Sequence, residues 1–250
     1  RTKKIHLKYF QYITVLFTEI FLDNFFNRKI KFLDELNAFV EKENKQNKKN
    51  YTKFSKKDLN KLAYWMATGS GKTHIMHINF LQFWHYNKKS IDNIILITPN
   101  EALSQQHLNE LRKASIPAKI FDGAHREKDI IQIIEIHKLT ETKKGKGVSV
   151  SVDSFEGNNL VFVDEGHKGF SGTTWKSHRD KISKIGFTFE YSATFEEAIG
   201  SKNDNLLDEY SKAIIMDYSY HYFYEDGFGK EFTVLNTKSP KWGKTIDVFN

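Results

Sequence analysis

Residues 62–73 read Leu62-Ala63-Tyr64-Trp65-Met66-Ala67-Thr68-Gly69-Ser70-Gly71-Lys72-Thr73, an apolar run that passes into a glycine-rich turn. The next segment, His74 to Tyr86, carries apolar residues at Ile75, Ile78, Phe80, Leu81 and Phe83. The order is strand, turn, helix. Gly69 and Gly71 lack the Cβ atoms that would keep backbone N–H groups from converging on an anion, and the start of a helix adds partial positive charge. A polyphosphate fits both features. With Ser70 between the two glycines, Lys72 is placed to reach the β- and γ-phosphates and the Thr73 hydroxyl to ligate a bridging Mg²⁺. The local reading is a P-loop for a nucleoside triphosphate; the alternative is a plain Gly/Ser turn between a core strand and a core helix. Met66 stands where the strict pattern has its first glycine, which a strand one residue longer accommodates. That departure calls for a second signal elsewhere in the chain.

At 250 residues the chain can bury a full core. It begins with Arg1 rather than Met, and reads as a piece of a longer protein. Without cysteine it has no disulfide framework and no thiolate zinc site. No apolar run has the length of a membrane span and no secretory signal is visible, so the expected compartment is cytoplasmic. The formal net charge of +7 favours a polyanionic partner. Much of that excess sits in Lys42 to Lys57, whose composition is equally that of a solvated surface.

Along the chain, Phe10, Ile13, Phe17, Ile20, Phe21 and Phe25 recur at helical spacing and predict an amphipathic first helix over 7–26. A second is expected from Lys29 to about Lys42, with Leu33, Leu36 and Val40 on one face. Glu41 to Asn50 has no apolar residue and reads as an exposed loop or frayed end. Beyond the P-loop helix come Asn93 to Ile97 as a strand, a turn at Thr98-Pro99-Asn100, a helix over Glu101 to Lys113 and a short strand at Ala118 to Phe121. Ile130 to Ile136 and Val148 to Val152 give two more strands, joined by a turn over 143–147. Asn159 to Val163 follows as another wholly apolar strand. Strands that are continuously apolar and alternate with helices imply an α/β fold with a mostly parallel sheet flanked by helices.

The strand at Leu160 to Val163 runs into Asp164-Glu165-Gly166-His167. In a parallel sheet the carboxyl ends of the strands share one edge, so Asp164 can approach the P-loop despite the sequence separation. There it would hold Mg²⁺, a hard cation that prefers oxygen ligands, while Glu165 orients and partly deprotonates the attacking water. His167 reads either as a hydrogen-bonding loop residue or as part of the catalytic set. Phe187 to Tyr191 is a further strand, ending in Ser192-Ala193-Thr194-Phe195 on the same edge. Its hydroxyls can bond to Glu165 or His167 and couple to the γ-phosphate.

These motifs, in this order, resemble those of superfamily 2 helicases and translocases: motif I as Ala67–Thr73, motif II as Asp164–His167 and motif III as Ser192–Thr194. Motif Ia is similar to Thr98-Pro99-Asn100-Glu101. The resemblance implies a RecA-like P-loop NTPase domain that uses ATP and Mg²⁺, with Thr98, Pro99 and Asn100 against a nucleic-acid backbone. The forms of motifs I and III, with Met66 preceding the first and Phe195 closing the last, are most similar to the motor subunits of type I and type III restriction enzymes. An aromatic-Gln pair that reads adenine in the family resembles Phe10-Gln11, which would make residues 27–57 an insertion. Gly166 stands where the family commonly has Ala or Cys, a small-for-small exchange.

The resemblance covers residues 1–200, expected to be the first RecA-like domain, with 201–250 a linker or the start of a further region. It implies a second RecA-like domain beyond residue 250 that supplies an arginine finger, double-stranded DNA as substrate, and methyltransferase or specificity subunits as partners. No nuclease constellation is visible. Two other classes compete: a nucleotide-gated binding module without turnover, and a helicase of repair or RNA remodelling. A P-loop small-molecule kinase has no use for the Thr98–Asn100 loop or for Ser192–Thr194.

Overall fold

A computed structural model describes residues 6–123, 128–140, 150–165, 177–178, 180–195 and 204–230. Two helices open the chain, α1 (Tyr9–Asn27) and α2 (Lys29–Asn47). They are followed by β1 (Lys61–Met66), α3 (Lys72–Tyr86), β2 (Asn93–Thr98), α4 (Glu101–Lys113), β3 (Ala118–Ile120) and β4 (Ile131–Glu135). Then come β5 (Leu139–Thr140), β6 (Val150–Ser151), β7 (Asn159–Asp164), β8 (Phe187–Ser192), α5 (Asp204–Ala213), β9 (Ile214–Tyr218) and α6 (Tyr220–Glu225). The main sheet has seven strands in the order β3-β4-β2-β7-β8-β1-β9. Every pairing in it is parallel, as the continuously apolar strands predicted.

Both faces of this sheet are covered. Ile94, Leu96, Leu160 and Phe162 point to the face occupied by α1 and α3, whereas Ile95, Ile97, Val161 and Val163 fill the core on the other. Successive residues of one strand thus enter different cores, the reason these strands read as unbroken apolar runs. Register sets the functional edge: Asp164 lies opposite Tyr191, Trp65 opposite Ser192 and Met66 opposite Tyr218. The ends of β1, β7, β8 and β9 therefore meet at one level, with the P-loop among them.

Helix α1 forms where the apolar spacing predicts, and Phe10, Phe21 and Phe25 of the expected face pack on the core, but the buried side is rotated from that face. Phe10, Thr14, Thr18 and Leu22 are buried, while Phe17 and Ile20 are about half exposed. The threonines tolerate burial because their hydroxyls bond within the fold. Thr14 donates to Phe10 O at 2.7 Å and Thr18 to Thr14 O at 2.9 Å. Thr18 Oγ1 also lies 2.8 Å from the hydroxyl of Tyr64, which stacks on Tyr191 in the core. Asn79 of α3 donates to the Tyr191 hydroxyl at 2.8 Å. Burial raises the pKa of both tyrosines, which stay neutral donors or acceptors.

Helix α2 continues to Asn47, past the expected end near Lys42. Its Glu, Lys and Gln residues are good helix formers, so the lack of apolar residues marked exposure rather than coil. Two of its asparagines grip the returning chain. Asn37 and Asn44 each exchange two hydrogen bonds with a backbone, at Phe54 and Tyr51 respectively. Of the expected strand over Val148–Val152, residues 148–149 lie outside the described residues; Val150–Ser151 form β6, which pairs with β5 apart from the main sheet, and Val152–Phe155 is a 3-10 turn. The expected turn over 143–147 lies outside the described residues. The sheet also takes in β9 beside β1, so its edge does not coincide with a boundary at residue 200.

Candidate nucleotide site

The P-loop leaves β1 at Met66 and closes on itself. Ala67 O accepts from Ser70 N at 3.1 Å and from Ser70 Oγ at 2.7 Å, while Ala67 N donates to Tyr218 O at 2.9 Å. Gly69 (φ +85°) and Gly71 (φ +96°) hold left-handed conformations that side-chain-bearing residues resist. Gly71 is the N-cap of α3 and offers no side-chain acceptor, so the first N–H groups of the helix are left to the loop's concavity. This is a cradle of the kind a polyphosphate fills. Thr73 lies in the first turn of α3.

Lys72 spans the loop. Its ammonium donates to Met66 O at 3.2 Å and pairs with Glu165 Oε1 at 3.2 Å. Glu165 itself has φ +52°, uncommon for a residue with a side chain. Its N–H is tied to Tyr191 O at 2.9 Å, and its carboxylate accepts from Ser192 Oγ at 3.0 Å and from Ala193 N at 3.1 Å. Ser192 Oγ accepts in turn from Thr194 N at 3.0 Å. Trp65 of β1 fixes the same loop by donating to Ala193 O at 3.1 Å. Lys72, Glu165, Ser192 and Thr194, taken from three distant segments, are thereby one connected chain of contacts.

Asp164, the last residue of β7, faces α4. Its Oδ2 is 2.8 Å from Nε2 of His107, with both residues buried. No sequence motif marks His107. The available signal was its place on the buried side of α4 with Ser104, Leu108 and Leu111, where a polar ring needs a partner. His77, on α3 nearby, has its pKa lowered to about 4, chiefly by burial and then by the charge of His107.

The loop before α4 is ordered by its own side chains. Thr98 is fully buried, its hydroxyl 2.6 Å from Ser104 Oγ, and Asn100 caps α4 by accepting from Leu103 N at 3.0 Å. The Thr98 hydroxyl is thus used inside the fold, while Pro99 is half-buried and Asn100 exposed. Gln11, far from the P-loop in sequence, reaches it in space: its Nε2 donates to Ser70 O at 2.8 Å. His167 lies outside the described residues. A cavity of about 350 Å³ opens at the amino ends of β1 and β8, by Lys61 and Thr188, on the far edge of the sheet from this site.

The family described as type III restriction enzyme, res subunit (ResIII) matches residues 28–197. The chain belongs to this family. The Res match takes in the P-loop, Asp164, Glu165 and the Ser192–Thr194 loop, and leaves out α1 with Gln11. No curated protein matches the chain. By shape it is similar to the UvsW helicase of bacteriophage T4, at 12% identity and TM-score 0.49, covering 87% of this chain and 61% of that one. It is also similar to the Sulfolobus solfataricus SWI2/SNF2 ATPase core, solved in complex with double-stranded DNA, at 15% identity and TM-score 0.44, covering 76% and 36%. The Pyrococcus furiosus Hef helicase domain gives 12% identity and TM-score 0.42, covering 64% and 35%. The chain spans less than two-thirds of the length of each. Among the described residues no helix is long and apolar enough to cross a membrane.

Proposed function

We propose that this Res domain binds and hydrolyses ATP with Mg²⁺ as the first motor domain of a cytoplasmic type I or type III restriction enzyme, coupling hydrolysis to movement of double-stranded DNA. The observation that carries the reading is the chain from Lys72 through Glu165 to Ser192, set at the carboxyl edge of a parallel sheet beside an uncapped helix start. Bound Mg-ATP supplies the phosphoryl group and the cation that neutralises its charge. The N–H groups of Gly69 and Gly71 and the Lys72 ammonium would bind the phosphates, with Ser70 closing the loop through Ala67 O, and Thr73 with Asp164 would hold the metal. Glu165 orients water and accepts its proton; His167 completes that set. Gln11 faces the adenine. Ser192 and Thr194 relay the state of Glu165, and the Pro99-Asn100 surface meets the nucleic-acid backbone.

In this reading a second RecA-like domain supplies an arginine, whose absence costs ~10³–10⁵ in rate. The 250-residue chain is therefore expected to bind Mg-ATP and turn it over very slowly. Methyltransferase and specificity subunits provide target recognition. The test is ATP hydrolysis by the chain joined to its second motor domain, with and without double-stranded DNA. DNA-stimulated turnover abolished by Lys72→Ala and by Glu165→Gln is expected. Normal turnover in Glu165→Gln would overturn the role given to that carboxylate.

A further inference from the structure

The segment 214–230 lies beyond the Res match, yet it closes directly on the P-loop. β9 runs beside β1, and Tyr218 O accepts from Ala67 N at 2.9 Å. Phe223 of α6 sits where a Cβ on Gly69 would be 3.8 Å from its ring. The turn after α6 carries Asp226, whose Oδ2 accepts from the Tyr218 hydroxyl at 2.5 Å and from the Tyr9 hydroxyl. Phe10 stacks on Tyr218, with centroids 4.0 Å apart and 14° between planes, and the Lys8 ammonium lies 3.4 Å from the centroid of Phe228. Residues 8–10 are gripped by this segment from one side.

From the other side they are tied to the P-loop through Gln11. Lys8 N donates to Gln11 Oε1 at 2.9 Å, and Gln11 Nε2 donates to Ser70 O at 2.8 Å. These two bonds fix which end of the amide is oxygen. Each end keeps one unused capacity, a lone pair on Oε1 and a hydrogen on Nε2. Adenine presents a donor at N6 beside an acceptor at N7, the complement of that pair, whereas guanine presents two acceptors. An amide free to rotate or flip loses the distinction.

We propose that Asp226 is a positioning residue for nucleobase selection: by holding Tyr9 and Tyr218 together it fixes the start of α1, so that Gln11 presents one acceptor and one donor to adenine. The proposal rests on the reading of the P-loop as an ATP site. It gives the segment after the third motif a role in choosing the nucleotide, through a clamp that touches neither base nor phosphate.

The experiment compares binding of Mg-ADP, Mg-GDP and inorganic tripolyphosphate to the whole chain by titration calorimetry, in wild type, Asp226→Ala, Tyr9→Phe, Gln11→Ala and Lys72→Ala. Wild type is expected to prefer ADP. Gln11→Ala, Asp226→Ala and Tyr9→Phe should each reduce the ADP-to-GDP preference by about tenfold, the equivalent of ~1.4 kcal/mol, and Asp226→Ala and Tyr9→Phe should leave tripolyphosphate binding unchanged. Tyr9→Phe removes one hydroxyl from a half-exposed ring, so it decides the matter if Asp226→Ala fails to fold. A clamp that only stabilises the fold would weaken ADP and GDP alike and leave their ratio intact, which overturns the proposal. A wild type with no preference also overturns it. Tripolyphosphate binding that is absent, or indifferent to Lys72→Ala, instead defeats the reading of the P-loop and this proposal with it.

Discussion

Gly71→Ala tests the placement of the first helix against the P-loop. A Cβ at Gly71 would stand 2.5 Å from Gln11 Nε2, and the residue has φ +96°. The backbone conformation alone costs a residue with a side chain roughly 1–2 kcal/mol. Gln11 is the end of a flexible side chain and can retreat, but only by giving up its bond to Ser70 O, worth about 0.5–1.5 kcal/mol. Gly71→Ala should therefore lower unfolding stability by roughly 2–3 kcal/mol. In a Gln11→Ala background the side-chain part vanishes and the same substitution should cost only ~1–2 kcal/mol. The double-mutant cycle then gives a coupling of ~1 kcal/mol, above the few tenths at which distant sites are additive. Gly69→Ala is the control: it too has positive φ, at +85°, but its Cβ would meet Phe223 at an ordinary 3.8 Å. It should show the backbone cost and no coupling to Gln11. The assay is urea unfolding followed by tryptophan fluorescence and circular dichroism. A coupling between positions 11 and 71 within a few tenths of zero would refute the placement of Gln11 on the loop.

Further outcomes follow from the buried polar contacts. His107→Leu leaves the buried Asp164 carboxylate without its 2.8 Å partner and is expected to cost ~1–3 kcal/mol in urea unfolding; an unchanged midpoint would mean the contact is not formed. His77 keeps a folded-state pKa of about 4, below the value of about 6.5 for a free imidazole, so the unfolded chain takes up its proton first as pH falls. Stability should decline from about pH 6.5 toward pH 4, by ~1–2 kcal/mol once the ring's partial exposure is allowed for, and His77→Gln should flatten that part of the profile. Gly186→Ala would drive a Cβ into the backbone carbonyl of Asn159 and is expected to abolish soluble expression; a soluble, stable variant would contradict the β7–β8 pairing.

The parts of this domain that could be read from sequence are those in which one residue type has one use. The P-loop glycines are needed for their positive φ, and Asp164-Glu165 and the Ser192–Thr194 loop each lie at the carboxyl end of a strand of a parallel sheet. That placement alone brings them to one edge. What is not legible depends on hydrogen-bond partners that the spacing of apolar residues does not reveal. The core-facing side of α1 contains Thr14 and Thr18, which spacing of apolar residues discards, because only their back-bonds and Tyr64 make them fit for burial. Glu41–Asn47 contains no apolar residue, and its helix is fixed by Asn44 holding a backbone seven residues on. His107 and Asp226 are ordinary polar residues until the fold sets Asp164 and the two tyrosines beside them.

The central claim is that Ala67–Thr73 holds the phosphates of Mg-ATP through Lys72. The most direct measurement is calorimetric titration of the 250-residue chain with ATP, with Mg²⁺ and with excess chelator, beside Lys72→Ala and Glu165→Gln. The account predicts one saturable Mg²⁺-dependent site, lost in Lys72→Ala and kept in Glu165→Gln. Binding that survives Lys72→Ala unchanged, or no saturable binding in wild type, would contradict it.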